Sequence, residues 1–135
     1  GFQKIQMYKR IKAVENEKDY EDLVDELIDR FGNMPIEAER LMKISRMKVW
    51  AKQANVESIK EQHKQLVVKF SKSGTQTTNG AMLVESSMVY GRAVGFQMNA
   101  NQQLLLSIDE KKTGTHHPFD VLEAMMMILP QAQKN

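Results

Sequence analysis

The chain has 135 residues, 41% hydrophobic and 27% charged, with 19 Lys+Arg against 17 Asp+Glu and a formal charge of +2. Leu, Ile, Val and Phe supply 33 of those residues, above the composition of disordered chains, and a chain this long buries roughly two-thirds of its unfolded surface, enough for one ordinary core. The near-balanced charge excludes a partner recognised by bulk charge alone, and the lack of cysteine excludes disulfides, thiolate metal sites and cysteine nucleophiles and fits a reducing compartment.

No stretch approaches the ~18 apolar residues of a membrane helix, so no membrane partner is expected. The chain opens on Gly1 and runs straight into charged, helix-prone sequence, as expected of a piece of a longer polypeptide. Charge is uneven: residues 1–64 carry 25 of the 36 charged side chains and residues 65–135 carry 11. Helices with solvated faces are therefore expected in front, with strands and polar loops behind.

A short leading helix is expected around Ile5–Val14. From Asp19 to Phe31 the apolar residues Tyr20, Leu23, Val24, Leu27, Ile28 and Phe31 fall at i, i+3, i+4, i+7, i+8 and i+11, one stripe of an α-helix. Acidic residues fill the other face, and Gly32 followed by Pro35 marks a stop and a new start. The next helix, Pro35 to about Ala54, has apolar residues on several sides, which predicts packing on several sides. Its basic residues Arg40, Lys43, Arg46, Lys48 and Lys52 are expected chiefly to neutralise the acidic helix before it.

After Asn55 the period shifts. Val56–Glu61 and Gln65–Ser71 read as two strands around a polar turn, with Leu66, Val68 and Phe70 alternating. Ser71–Gly80 reads as a loop, Ala81–Tyr90 as a short helix ended near Gly91, and Val94–Met98 with Gln103–Ile108 as a second strand pair. A last helix starts at Pro118, turns Phe119, Leu122, Met125, Met126 and Leu129 inward, and is expected to end before Pro130. The expected fold class is α+β: helices first, then a small, mainly antiparallel sheet with packed helices, in a single domain.

Catalytic signals are sparse. No G-x-x-x-x-G-K-[ST] phosphate loop occurs, and Gly91–Gly95 does not join a strand to a helix as a dinucleotide site requires. His116 and His117 are neighbours whose side chains diverge, and without cysteine or an H-E-x-x-H spacing no metal site is expected; His117 before Pro118 suits a helix start. No catalytic residue and no metal ligand is assigned. Arg40, Arg46, Lys48 and Lys52, with Trp50, form the alternative: a basic helix that contacts nucleic-acid phosphates. Glu26, Asp29 and Arg30, at i, i+3 and i+4, share one exposed patch, whose ordinary use is a weak intrahelical Glu26–Arg30 pair.

The run Glu26-Leu27-Ile28-Asp29-Arg30-Phe31-Gly32, then Pro35, then Leu41-Met42-Lys43-Ile44-Ser45-Arg46-Met47-Lys48, resembles the C-terminal domain of the Mfd family of bacterial transcription-repair coupling factors. Lys4 to Ile11 (KIQMYKRI) resembles the segment just before that domain in Firmicute-type members. The resemblance is specific over about residues 4–60 and diffuse beyond, and Ser71–Tyr90 does not align. It implies a leading linker over 1–15 and a non-enzymatic regulatory domain over 16–135. The parent it implies is a cytoplasmic, ATP-driven DNA translocase that displaces stalled RNA polymerase and recruits UvrA for nucleotide excision repair. ATP and magnesium would serve the parent's motor domains, and no cofactor is implied for this piece. The domain would pack on the UvrB-like module of the same polypeptide and cover the surface UvrA needs. Carried over residue by residue, Glu26, Asp29 and Arg30 would make that inter-domain contact.

Overall fold

The computed structural model describes residue 6, residues 9–32 and residues 36–133, with only the backbone of Phe31 and Glu37. Pro35, part of the KIQMYKRI segment and the Phe31 side chain thus lie outside the described residues. The chain forms two compact units, Gly1–Trp50 and Ala51–Asn135.

In the first unit, residues 9–12 are helical, and α1 follows over Glu17–Phe31. It starts two residues earlier than the apolar stripe suggests, because Asn16 caps it: the Asp19 amide donates to Asn16 Oδ1 at 2.8 Å, satisfying one of the orphan N–H groups of a first turn. Gly32 ends it at φ 66°, ψ −101°, a conformation that only glycine adopts without strain. Helix α2 spans Ile36–Gln53. Leu23 and Leu27 of α1 pack with Ile11, Val14, Met42 and Val49, flanked by Tyr20, Val24 and Leu41. Ile28 departs from the expected stripe: it is 49% exposed, because it lies on the far edge of that stripe from Leu23 and Leu27. Helix α2 is buried along Ala38, Met42, Ser45 and Val49 and again at Met47, nearly opposite, which matches its scattered apolar pattern.

In the second unit, β1 (Val56–Gln62), β2 (Gln65–Phe70), β3 (Val94–Met98) and β4 (Leu104–Asp109) form one antiparallel sheet in the order β1-β2-β4-β3. The β1–β2 turn places both His63 (φ 52°) and Lys64 (φ 64°) in the left-handed region, as a two-residue hairpin that follows the sheet twist demands. The predicted alternation holds: Leu66, Val68 and Phe70 are buried, and Leu66 and Val68 pair with the buried Ile108 and Leu106 of β4. Each such side chain contributes about 1.5–3 kcal/mol when fully buried.

The expected Ser71–Gly80 loop is instead mostly helical. Helix α3 covers Lys72–Thr77 and α4 covers Gly80–Ser87, followed by a 3-10 turn over Met88–Ala93. The Gly74 amide donates to Ser71 Oγ at 3.0 Å, and Thr75 and Thr77 hydroxyls donate back to Ser71 and Ser73 carbonyls at 2.8 and 3.0 Å. Those side-chain bonds usually compete with a helix; here they close it, and Thr75 Oγ1 also accepts from the Leu104 amide at 2.9 Å.

Helix α5 runs over Pro118–Ala132, past Pro130. Proline removes one N–H and crowds the preceding turn, but the end is held from outside. The Asn79 amide donates to the Ala132 carbonyl at 2.7 Å, and Gln133 Nε2 donates to the Ala54 carbonyl at 2.6 Å and to Thr78 Oγ1 at 3.0 Å. Leu122, Met125, Met126 and Leu129 are buried as expected, joined by Val121, and α4 packs on α5. His117 is the helix start: its Nδ1 accepts from the Phe119 amide at 3.1 Å.

Candidate interaction surface on the acidic helix

Leu23 and Leu27 fix which way α1 faces. Glu26 precedes Leu27 at the border of that buried stripe, so its side chain is only 31% exposed, while Asp29 and Arg30 are exposed. Arg30 Nε lies 4.0 Å from Glu26 Oε1, so the expected intrahelical pair is present at the outer limit of an ion pair.

The stronger partner of Glu26 is Arg10, sixteen residues away. Arg10 Nη1 donates to Glu26 Oε1 at 2.8 Å, and Nη2 closes a second contact on Oε2, the two-point geometry that suits a guanidinium to a carboxylate. The Arg10 hydrogen bond, reinforced by the charges of Arg10 and Arg30, holds the Glu26 carboxyl below its usual range despite the opposing effect of partial burial. The same bond raises the Arg10 guanidinium. Arg10 is placed by its neighbours: Ile11 and Val14 are core residues, and the Ser45 hydroxyl donates to the Ile11 carbonyl at 3.4 Å. No local periodicity announces this pair, since it depends on how the leading segment crosses α1. Beside it lies a cleft of about 270 Å³ lined by Arg10, Ala13, Val14, Asp19, Asp22 and Leu23.

Of the residues of the nucleic-acid alternative, Arg46 is already engaged within the first unit. Arg46 lies 5.4 Å from the Tyr20 ring centre and 4.8 Å from that of Trp50, with Nη2 3.8 Å from Glu17 Oε1. It thus lies within cation–π distance of both rings, and its contact with Glu17 is one instance of the neutralisation expected between the two helices. Arg40, Lys48 and Lys52 are exposed.

In the second unit, Glu110 has a buried Oε2 with no hydrogen-bond partner. Desolvation first, then the nearby Glu61 carboxyl, push Glu110 above the usual carboxylate range, against the weaker pull of Lys64 and His117. Glu57 is held low by Lys69 Nζ, 2.8 Å from its Oε2, and by Gln103. Among the described residues no group of three or more His, Asp or Glu side chains is placed to hold a metal, and no helix is long and apolar enough to cross a membrane.

Residues 2–81 match the TRCF domain family model. The transcription-repair-coupling factor of Bacillus subtilis (strain 168) is 36% identical over 134 residues, 99% of this chain and 11% of that protein. That of Staphylococcus epidermidis (strain RP62A) is 44% identical over 99 residues, 72% of this chain and 8% of that protein. A crystal structure of the C-terminal domain of a transcription-repair coupling factor matches with a TM-score of 0.75 at 22% identity, covering 98% of this chain and 82% of that one, which shows a shared fold. The likeness therefore extends well beyond residues 4–60. The chain spans only 8 to 11% of the length of these relatives.

Proposed function

Because the chain belongs to the TRCF domain family, we propose that it is a non-catalytic regulatory domain of a transcription-repair coupling factor. The parent, on this reading, is a cytoplasmic ATP-dependent DNA translocase that displaces stalled RNA polymerase and recruits UvrA for nucleotide excision repair. This domain restrains it by packing on the UvrB-like module of the same polypeptide and masking the surface that UvrA binds. The observation that carries the reading is the C-terminal end of α1, where Asp29 and Arg30 are exposed and Glu26 is partly exposed, inside the segment that matches the family. A charged contact of this kind is selective without being strong, so it can open. Tethering keeps even a weak contact occupied, because the effective concentration within one polypeptide is high.

The test compares UvrA affinity of the full-length parent with that of the Glu26→Lys, Asp29→Lys, Arg30→Glu variant, without RNA polymerase or DNA. Affinity is expected to rise towards that of a parent lacking this domain. Unchanged affinity in a folded variant would return the three residues to an ordinary solvated face. The nucleic-acid reading would require salt-sensitive binding of this chain to duplex DNA, which the engagement of Arg46 disfavours.

A further inference from the structure

We propose that Arg10 is an internal competitor for Glu26: the leading segment occupies the carboxylate that the inter-domain contact uses, so the contact forms by exchanging one cation for another. The proposal rests on the clasp reading above and adds its regulation.

Three observations converge on it. The Glu26 carboxylate is engaged on both oxygens by the Arg10 guanidinium, so a partner cation meets an occupied acceptor rather than an open one. The position of Arg10 is set by Ile11 and Val14, which belong to the core, and by the Ser45 bond to Ile11, rather than by α1 itself. Any movement of residues 9–14 therefore changes what Glu26 offers. Finally, Arg10 has somewhere to go. It lines the cleft that also holds Asp22, four residues before Glu26 and so on the same side of the helix. Asp22 thus places a second carboxylate beside the same cleft, and because both partners of the Arg10–Glu26 pair are solvent-accessible, solvent screening limits what that pair contributes. A solvent-accessible internal cation with a second carboxylate lining the same cleft is the arrangement an exchangeable latch requires.

The experiment measures UvrA affinity of the full-length parent for four proteins: unmodified, Arg10→Gln, Glu26→Gln and the double variant. Arg10 is 53% exposed, so Arg10→Gln leaves the core intact, and Arg10→Ala serves as a second version. Removing the competitor tightens the clasp, so Arg10→Gln is expected to lower UvrA affinity by about two- to fivefold, the range of one exposed ion pair. Glu26→Gln raises it, and the double variant matches Glu26→Gln alone. If Arg10→Gln raises UvrA affinity, or shifts it equally with and without Glu26, the latch is wrong while the clasp stands. If Glu26→Gln leaves UvrA affinity unchanged, the clasp contact at Glu26 and the latch on it fall together.

Discussion

Replacing Gly74 by alanine adds one methyl group at the most crowded of the described glycines. A Cβ there would fall inside contact distance of the Asn55 carbonyl oxygen, with Asn55 Cβ at 3.1 Å and the Ala54 carbonyl oxygen at 3.2 Å. The obstacles are mostly backbone, so no flexible side chain can swing aside. Asn55 is also committed: it sits at φ 58°, and its carbonyl accepts the Ser71 amide at 2.9 Å. Forcing α3 outward would stretch that bond and the Thr75–Leu104 contact together. Overpacking of one methyl typically costs about 1–3 kcal/mol, and loss of the Ser71 bond adds about 1 kcal/mol. Alanine's better helix propensity returns at most about 1 kcal/mol. The net expectation is a loss of about 1–3 kcal/mol, read as a lowered urea midpoint by far-UV circular dichroism. In a unit of this size each kcal/mol corresponds to roughly 4–8 °C in Tm. Gly80→Ala is the internal control: nothing lies within 4 Å of its added Cβ, so the same chemistry is expected to be neutral or stabilising by up to about 1 kcal/mol. A Gly74→Ala protein as stable as the unmodified chain would refute the close approach, and with it the placement of α3 against Asn55.

Two further outcomes follow from buried polar groups. Glu110 is raised by desolvation and by Glu61, so the folded state holds its proton more tightly than the unfolded chain does. The stability from that proton is complete below the ordinary carboxylate range and is lost as pH rises through the raised value. Glu110→Gln is accordingly expected to be more stable than the parent sequence at neutral pH, with the advantage shrinking towards about pH 4; parallel urea midpoints across that range would refute it. Gln103 is buried, donates from Nε2 to the Phe70 carbonyl at 3.1 Å and accepts from Asn99 Nδ2 at 3.2 Å. Gln103→Leu keeps the bulk but removes the side-chain donor to that carbonyl and the acceptor of Asn99 Nδ2, for a loss of about 1–3 kcal/mol in denaturant unfolding.

What could be read from the residues was whatever repeats along one element. Leu23 and Leu27 at helical spacing, and Leu66, Val68 and Phe70 at strand spacing, each declare a buried face before any partner is known, and all five are buried. Features that depend on a distant partner were silent. Ser71–Gly80 has the composition of a loop; its own Ser71, Thr75 and Thr77 side chains close the helix, and the approaches of Gly74 to Asn55 and of Thr75 to Leu104 fix it in place. Pro130 reads as a terminator, yet Asn79, Thr78 and Ala54 supply the external bonds that let α5 continue. The charged patch was legible as a spacing, Glu26–Asp29–Arg30, but Arg10 was not, because sixteen residues and a turn separate it from its carboxylate.

The border position of Glu26 connects these points to function. A residue at the centre of the buried stripe, such as Leu27, is closed to a partner, whereas Asp29 is exposed. Glu26, 31% exposed and one residue before Leu27, is partly open to solvent and is paired with Arg10 of the leading segment. Because Leu23 and Leu27 carry the packing, the charge at position 26 can change partners without disturbing the core. Leu23 and Leu27 hold the fold while the charge lies at the border of the same helix, which is what the proposed exchange of one cation for another at Glu26 requires.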